Sequence, residues 1–409
     1  MSLEIRELRG DELDEVAYTV AYSFDGDRSP EALEGNRRLY TVLRPLAVFQ
    51  DGRVVASLGL LPLAMAVNGG SQPFAGVASV ACLPEHRRKG YVGQLLTRAL
   101  EVMREQGQVL SGLHTPHFAL YRRYGWMLAG RALRYSFCPR DIALVVPGPP
   151  PGEAIRVSHQ EWAGLDAVYR AFIARRNGYL HRSEHWWRAG VLRSFYERRG
   201  DHLDAAVWVS EDNEWRGYVI YDVARQPDAA ARLRVRDFVA LDGDAYIGLM
   251  RYLLYHDIVG QIQWWAPLGD PFLSVVDDPS RVQVSFEPGI FLRVVDVAAA
   301  FAARPCLAEA SGQRPAGVRL TLELTDEAAP WNTGLWRLET EDGRTLAQKC
   351  EEAPGLSLDV SLLAALFNGF LSPSEAARGG LMKVHSEAAL AAADRIFAVL
   401  CPPFTADYF

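Results

Sequence analysis

Lysine is nearly absent from this 409-residue chain: only Lys89, Lys349 and Lys383 stand among its 43 basic residues. With the abundant alanine, that reflects a compositional bias of the genome and carries no mechanism. Cysteine is scarce and scattered. Cys82, Cys138, Cys306, Cys350 and Cys401 are odd in number and form no Cys-x-x-Cys pair, which argues against a disulfide framework and a thiolate metal site. Long apolar runs are missing as well. The longest near-apolar stretch, 58–67, contains Pro62, whereas a membrane-spanning helix needs about 20 residues. Glu4, Arg6, Glu7 and Arg9 occupy the region where a signal peptide would place its apolar segment. A soluble, cytoplasmic protein without a membrane span is the expectation. Nor is there an excess of positive charge. The 43 basic and 50 acidic residues give a net charge of −7, which argues against a nucleic-acid partner and is compatible with cationic small substrates. Finally, neither a Gly-x-x-x-x-Gly-Lys-Ser/Thr loop nor a Gly-x-Gly-x-x-Gly fingerprint occurs.

What is present is an ordinary globular composition, 49% hydrophobic, in a chain long enough for two to three domains. The run Pro147-Gly148-Pro149-Pro150-Pro151-Gly152 cannot continue a helix or a central strand and reads as a linker. A softer break follows Glu287-Pro288-Gly289, beyond which residues 291–409 hold 15 acids against 10 bases. In the first segment, strands are expected at 4–8, 47–50, 54–67 and 74–82, with a helix over 11–22. Asp51-Gly52 and Asn68-Gly69-Gly70 supply tight hairpin turns. A long helix over 90–106, a buried strand at 109–113 and a short helix at 119–124 complete an antiparallel meander followed by strand–helix–strand. The middle segment repeats this order with helices at 160–176, 183–197 and 244–258. Its strands fall at 155–157, 204–210, 216–223, 231–241 and 261–266. In the last segment, strands at 317–324, 334–339 and 345–349 are joined by helices at 359–367 and 386–399.

The stretch Val77-Ala-Ser-Val-Ala-Cys-Leu-Pro-Glu-His-Arg-Arg-Lys-Gly90-Tyr-Val-Gly carries the chemistry. A strand ends near Cys82, a basic loop turns through Arg87-Arg88-Lys89-Gly90, and a helix begins at once. Glycine lets the backbone approach a ligand with no side chain in the way. The free amides of the helix start, helped by the macrodipole, form an anion site. Three adjacent basic side chains add charge for a polyanion such as a pyrophosphate.

On these residues the chain resembles the GNAT acyltransferases, whose acetyl-CoA loop reads Arg/Gln-x-x-Gly-x-Gly/Ala after a strand. Arg87 and Gly90 match, and Val92 stands where the small residue is expected. That departure resembles the Eis-like (enhanced intracellular survival) N-acetyltransferases, which also have three-segment chains of about this length. Leu120-Tyr121-Arg122-Arg123-Tyr124-Gly125-Trp126 is similar to the aromatic YxxxGW/F segment of GNAT enzymes. The resemblance gives Tyr121 the role of protonating the departing CoA thiolate; a phenol of pKa near 10 lies close enough to a thiol for that transfer. Tyr124 is then a packing residue. Thr405-Ala-Asp-Tyr-Phe409 resembles the aromatic terminus of Eis-like enzymes, whose terminal carboxylate lies in the active site of the first domain and acts as general base. An α-carboxylate of pKa about 3.5 is a weak base in water, so burial or a water relay must assist it.

The resemblance implies a mixed α/β fold, with tandem GNAT folds followed by a sterol-carrier-protein-like C-terminal domain. Residues 1–147 would bind acetyl-CoA, 148–289 would form a degenerate GNAT domain, and 290–409 would be the sterol-carrier-like domain with the catalytic terminus. Backbone groups of Val80 and Cys82 would meet the pantetheine arm, and Arg87, Arg88, Lys89, Gly90 and Tyr91 would cradle the phosphates. Asp25 and Asp27 would hold cationic groups of the substrate; a solvated loop is the other reading for those two. Acetyl-CoA is the implied cosubstrate, with no metal. The acceptor would be a primary amine on an aminoglycoside, polyamine or lysine side chain, and family members assemble as homo-oligomers, in particular hexamers. The competing expectation is a non-catalytic lipid or acyl-CoA carrier built on the last segment.

Other patterns point elsewhere. His181-Arg-Ser-Glu184-His185 spells an inverted zincin pattern on an expected helix, but no third ligand follows. Trp186-Trp187 and Trp264-Trp265 suit packing, and His114 and His117, at a strand end, suit structural hydrogen bonds. In the middle segment the place of the basic loop is taken by Leu241-Asp-Gly-Asp-Ala-Tyr-Ile-Gly248, whose acids would repel a pyrophosphate.

Overall fold

A computed structural model describes residues 3–9, 12–30, 32–34, 43–192, 203–226, 229–307 and 317–409. Contacts divide the chain into two compact units, one made of 1–129, 290–399 and Phe409, the other of 130–289 and 400–408.

The first unit opens with β1 (Leu3–Glu7), α1 (Leu13–Ser23), β2 (Arg44–Gln50), β3 (Arg53–Val67) and β4 (Gly70–Cys82). The four strands pair antiparallel in sequence order. Asp51-Gly52 and Asn68-Gly69 connect β2 to β3 and β3 to β4, and all four residues have positive φ, as primed two-residue hairpins demand. Helix α2 (Tyr91–Glu105) then crosses to β5 (Leu110–Leu113), which lies parallel to β4. Leu95, Leu96, Ala99, Val102 and Met103 line its inner face at helical spacing and pack on Leu46, Val48, Leu58, Leu60 and Val77 of the sheet. Burying each large side chain is worth about 1.5–3 kcal/mol, so this stripe fixes the start of α2 against the sheet.

After α3 (Phe118–Arg122) come β6 (Met127–Leu128) and β7 (Arg131–Phe137). The second unit continues with β8 (Glu153–Val157), α4 (Trp162–Ile173), β9 (Leu180–His181), β10 (Leu203–Val209), β11 (Trp215–Gln226), β12 (Ala229–Ala240), α5 (Gly243–Leu254), β13 (Gln261–Ala266) and β14 (Gln283–Pro288). Its sheet runs β14-β7-β13-β12-β11-β10-β8. β7 therefore sits between β13 and β14. In the first unit β15 (Phe291–Val294) sits between β5 and β6. β7 lies within the second unit's segment 130–289, and β15 within the first unit's segment 290–399. The expected helix over 183–197 is one α-turn, Glu184–Trp186, followed by a π-turn, Trp187–Val191, with residues 193–197 outside the described ones. The proline-rich run 147–152 lies inside the second unit, where Val145 N–H donates to the Val275 carbonyl at 2.9 Å just before it.

The remainder of the first unit holds a five-stranded sheet ordered β18-β17-β16-β19-β20, from β16 (Arg319–Thr325), β17 (Gly334–Glu341), β18 (Arg344–Lys349), β19 (Leu356–Asp359) and β20 (Lys383–Val384). The helix Val360–Phe367 is buried along its whole length. Two buried arginines tie this region together. Arg293 of β15 reaches both oxygens of Asp326 at 2.8 Å. Arg304 donates to the carbonyls of Phe367, Ile396, Phe397 and Ala398, closing two helix ends whose last carbonyls lack intrahelical donors. Among the described residues no helix is long and apolar enough to cross a membrane.

Candidate active site

The site is built where β4 leaves β5. Their parallel register runs Phe74–Leu110, Ala75–Ser111 and Gly76–Gly112 and extends no further, while β4 continues to Cys82 along β3. A bulge interrupts β3 and β4 between Ser57 and Gly59, and Ser79 there has φ +52°. Bulges re-aim backbone groups and sharpen local twist. Residues 77–82 thus carry an edge past the β5 pairing, where an extended acyl-pantetheine arm can hydrogen-bond as a strand would. Val80 and Cys82, both half-buried, lie on this stretch. Burial pushes the Cys82 thiol pKa up, so the sulfur stays a neutral thiol.

From Cys82 the chain makes a single 3₁₀ turn, Pro84–His86. Arg87 Nε donates back to the Cys82 carbonyl at 3.1 Å, which closes the loop on the strand end. Arg88 at φ +62° and Gly90 at φ +83° then reverse the backbone into α2. Gly90 adopts this left-handed conformation without the Cβ penalty that other residues meet. The first intrahelical bond runs from Gln94 N–H to Gly90 C=O, leaving the amides of Tyr91, Val92 and Gly93 ahead of the helical ladder. The exposed Arg87, Arg88 and Lys89 stand beside them. Acidic phosphates fit this donor set. The Tyr91 hydroxyl donates to Gln50 Oε1 at 3.1 Å, so Tyr91 offers its amide rather than its phenol.

Tyr121, in α3, is buried within the core under the sheet. Burial pushes its phenol up to about 12, and among the described residues no group hydrogen-bonds its hydroxyl. The ring of Phe409 lies where β4 and β5 part. A Cβ on Gly76 would stand 2.7 Å from Phe409 Cε2, so the close approach requires glycine. The ring also meets Phe74 edge-on at 6.2 Å and His114 at 5.6 Å between centroids. Phe74, Gly76 and the site-facing position of His114 carry no motif in the sequence. Asp25, with φ +53°, and Asp27 stand on the exposed loop after α1, where Asp27 accepts the Ser29 amide at 2.8 Å.

The second unit repeats the parallel crossover, β12 to β13 through α5, with different chemistry. Asp242 accepts the Ala245 amide at 2.9 Å and Arg216 Nε at 2.9 Å. A carboxylate of the chain itself thus fills the start of α5. Glu211, Asp212, Glu214 and Asp244 line the cleft beside it, a setting that repels phosphate. His181 lies in β9, off the turn that carries Glu184 and His185, and Glu184 pairs with Arg188 at 2.9 Å. The helical pairing of the two histidines therefore does not form. Among the described residues no group of three His, Cys, Asp or Glu is placed to hold a metal ion.

Comparison with known proteins agrees with this geometry. Residues 4–129 and 178–294 each match an acetyltransferase (GNAT) domain family, and 297–405 match a sterol carrier protein domain family. An uncharacterized N-acetyltransferase of Streptomyces coelicolor is 29% identical over 96% of each chain. The N-acetyltransferase Eis of Mycobacterium bovis is 25% identical over 95% of each. The crystal structure of Eis1 from Mycobacterium abscessus superposes with a TM-score of 0.80 at 25% identity over the whole of both chains. Fold and site define a tandem GNAT acyltransferase with a sterol-carrier-like third domain. The chain belongs to the Eis-like GNAT N-acetyltransferases and depends on acetyl-CoA, which replaces the carrier reading.

Proposed function

We propose that the chain acetylates a primary amine of a cationic substrate, an aminoglycoside, polyamine or lysine side chain, by direct attack in a ternary complex. The donor site lies within 1–147, residues 148–289 have lost theirs, and 290–409 supply the terminal base. Backbone groups of Val80 and Cys82 hold the pantetheine arm, and Arg87, Arg88, Lys89, Gly90 and Tyr91 hold the phosphates. Asp25 and Asp27 hold cationic groups of the amine. The Phe409 carboxylate takes the ammonium proton, the freed amine forms the C–N bond as the C–S bond breaks, and Tyr121 gives its proton to the leaving sulfur.

The observation that supports this reading is the Phe409 ring lodged on Gly76, at the point where β4 parts from β5. The neutral Cys82 thiol favours direct transfer over an acyl-cysteine, because the thiolate is the nucleophilic form. Thiol release from acetyl-CoA with aminoglycosides, polyamines and lysine peptides tests it, for wild type, Tyr121→Phe and a chain lacking Phe409. Amine-dependent release that falls about 10²-fold in both variants is expected of a general acid and base. Unchanged release in either variant removes that residue's role. The reading includes a homo-oligomer, a hexamer in particular, which sedimentation velocity reads directly.

A further inference from the structure

Tyr124, the second tyrosine of the 121–126 segment, takes no part in the chemistry assigned above. Its ring is half-buried against the core of the first unit, but its hydroxyl ends at the start of α2. A Cβ on Gly93 would stand 1.9 Å from the Tyr124 hydroxyl oxygen and 2.8 Å from Cζ. Bond lengths then keep that oxygen within about 5 Å of the Gly93 amide nitrogen. The segment that carries the ring is held on both sides. The Tyr124 and Trp126 amides donate to the Tyr121 carbonyl at 3.0 and 3.2 Å, and Trp126 Nε1 donates to the Ser111 hydroxyl of β5 at 3.3 Å. Arg293 closes on Gly125, where a Cβ would stand 1.7 Å from Nη1.

Packing alone does not call for this pair. Gly93 lies in the first turn of α2 without a left-handed φ, so its backbone does not need glycine, and glycine there weakens a helix relative to alanine. The space taken by the Tyr124 hydroxyl is what excludes a side chain. A phenylalanine ring would fill the same core without bringing an oxygen. A hydroxyl drawn away from water needs a partner, and no group among the described residues bonds this one. The Cβ direction of a helical residue tilts toward the N-terminus, so the oxygen lies at the amide end of the turn. The unpartnered groups at that end are N–H donors. The phenol thus joins the amides of Tyr91, Val92 and Gly93 as one more donor facing an acceptor rich in negative oxygen.

We infer that Tyr124 is a further cofactor-binding residue, its hydroxyl donating to the pyrophosphate of acetyl-CoA beside the first-turn amides of α2. The inference rests on the proposed assignment of residues 87–91 to the phosphates, and Arg88→Gly tells the two apart. CoA binding is measured by titration calorimetry, without turnover, on the 409-residue wild type, Tyr124→Phe and Arg88→Gly. Tyr124→Phe keeps the ring, so its ligand-free thermal midpoint should match wild type. Its Kd for CoA should rise about tenfold, the scale of one hydrogen bond to a charged acceptor. ADP, which carries a pyrophosphate and no pantetheine arm, should lose the same factor in displacing CoA. In turnover the acetyl-CoA KM should rise with kcat unchanged. An unchanged Kd in Tyr124→Phe beside a weakened Arg88→Gly would overturn the role of Tyr124 alone. Unchanged affinity in both variants would remove the phosphates from the loop, and this inference with them. A loss for CoA but not for ADP would put the hydroxyl on the pantetheine arm and overturn the pyrophosphate contact. A lower ligand-free midpoint in Tyr124→Phe would mark the hydroxyl as structural and overturn the inference.

Discussion

The Tyr121 phenol shows how one residue's surroundings alter the chemistry its identity suggests. In water a phenol near 10 is a fair match for a leaving thiolate, but burial holds Tyr121 at about 12. Against a thiol near 8.5, proton donation is then uphill by roughly 5 kcal/mol. Under the proposed role the transfer is workable where the sulfur leaves into equally dry surroundings, which raise a thiol pKa as burial does at Cys82. The sign of the pH dependence follows. A raised pKa keeps the acid form intact as pH climbs, so Tyr121 contributes no alkaline limb below about pH 11. We predict that Tyr121→Phe lowers the kcat plateau about 10²-fold and leaves the profile's shape between pH 7 and 10 unchanged. A wild-type limb near pH 10 that vanishes in Tyr121→Phe would show instead that the hydroxyl titrates as an exposed phenol.

Between β4 and α2 lies the one short loop that the proposed reading assigns to the donor phosphates. Its two left-handed residues differ in cost, since Gly90 takes φ +83° freely whereas Arg88 at φ +62° does so against its Cβ. Gly90→Ala should therefore strain the turn by about 1–2 kcal/mol. Arg88→Gly should relieve the backbone and remove one charge. We expect Gly90→Ala to raise the acetyl-CoA KM about tenfold with kcat within threefold. We expect Arg88→Gly to raise KM in a way that fades at high salt, because exposed charge pairs are screened. Initial-rate kinetics at two ionic strengths check both, and unchanged KM values would remove the phosphates from this loop. This element was legible in the sequence because its determinants are local: paired turn residues, three adjacent basic residues and an apolar stripe at helical spacing. The same locality explains the failures. His181 was expected on a helix with His185, yet it ends β9, and the extended Ser183 caps the turn Glu184–Trp186 that starts only after it. Asp407 lies in the tail 405–409, singled out in the sequence only for its aromatic end, and its partner Arg182, far away in sequence, reveals it as buried.

For the whole molecule the consequential feature is the placement of β7 and β15. Both are short runs whose partners lie far off in sequence, so no periodicity assigns them to a sheet. The proline-rich run 147–152 marks a place where no ladder hydrogen bonds are needed, which any surface loop satisfies. Residues 1–147 alone would carry β7, whose partners β13 and β14 lie beyond residue 147. They would also lack β15, leaving β5 and β6 without the strand that joins them. Phe291, Leu292 and Val294 of β15 are all at most 3% exposed, and at about 1.5–3 kcal/mol each their absence forfeits a large share of the 5–15 kcal/mol that holds an ordinary domain folded. We predict that a 1–147 fragment shows no cooperative thermal transition by circular dichroism and exposes apolar surface to dye. Adding 290–409 in trans should restore a transition, because 290–399 and Phe409 complete the first unit. A cooperative melt of 1–147 by itself would mean that the first GNAT sheet forms without β15.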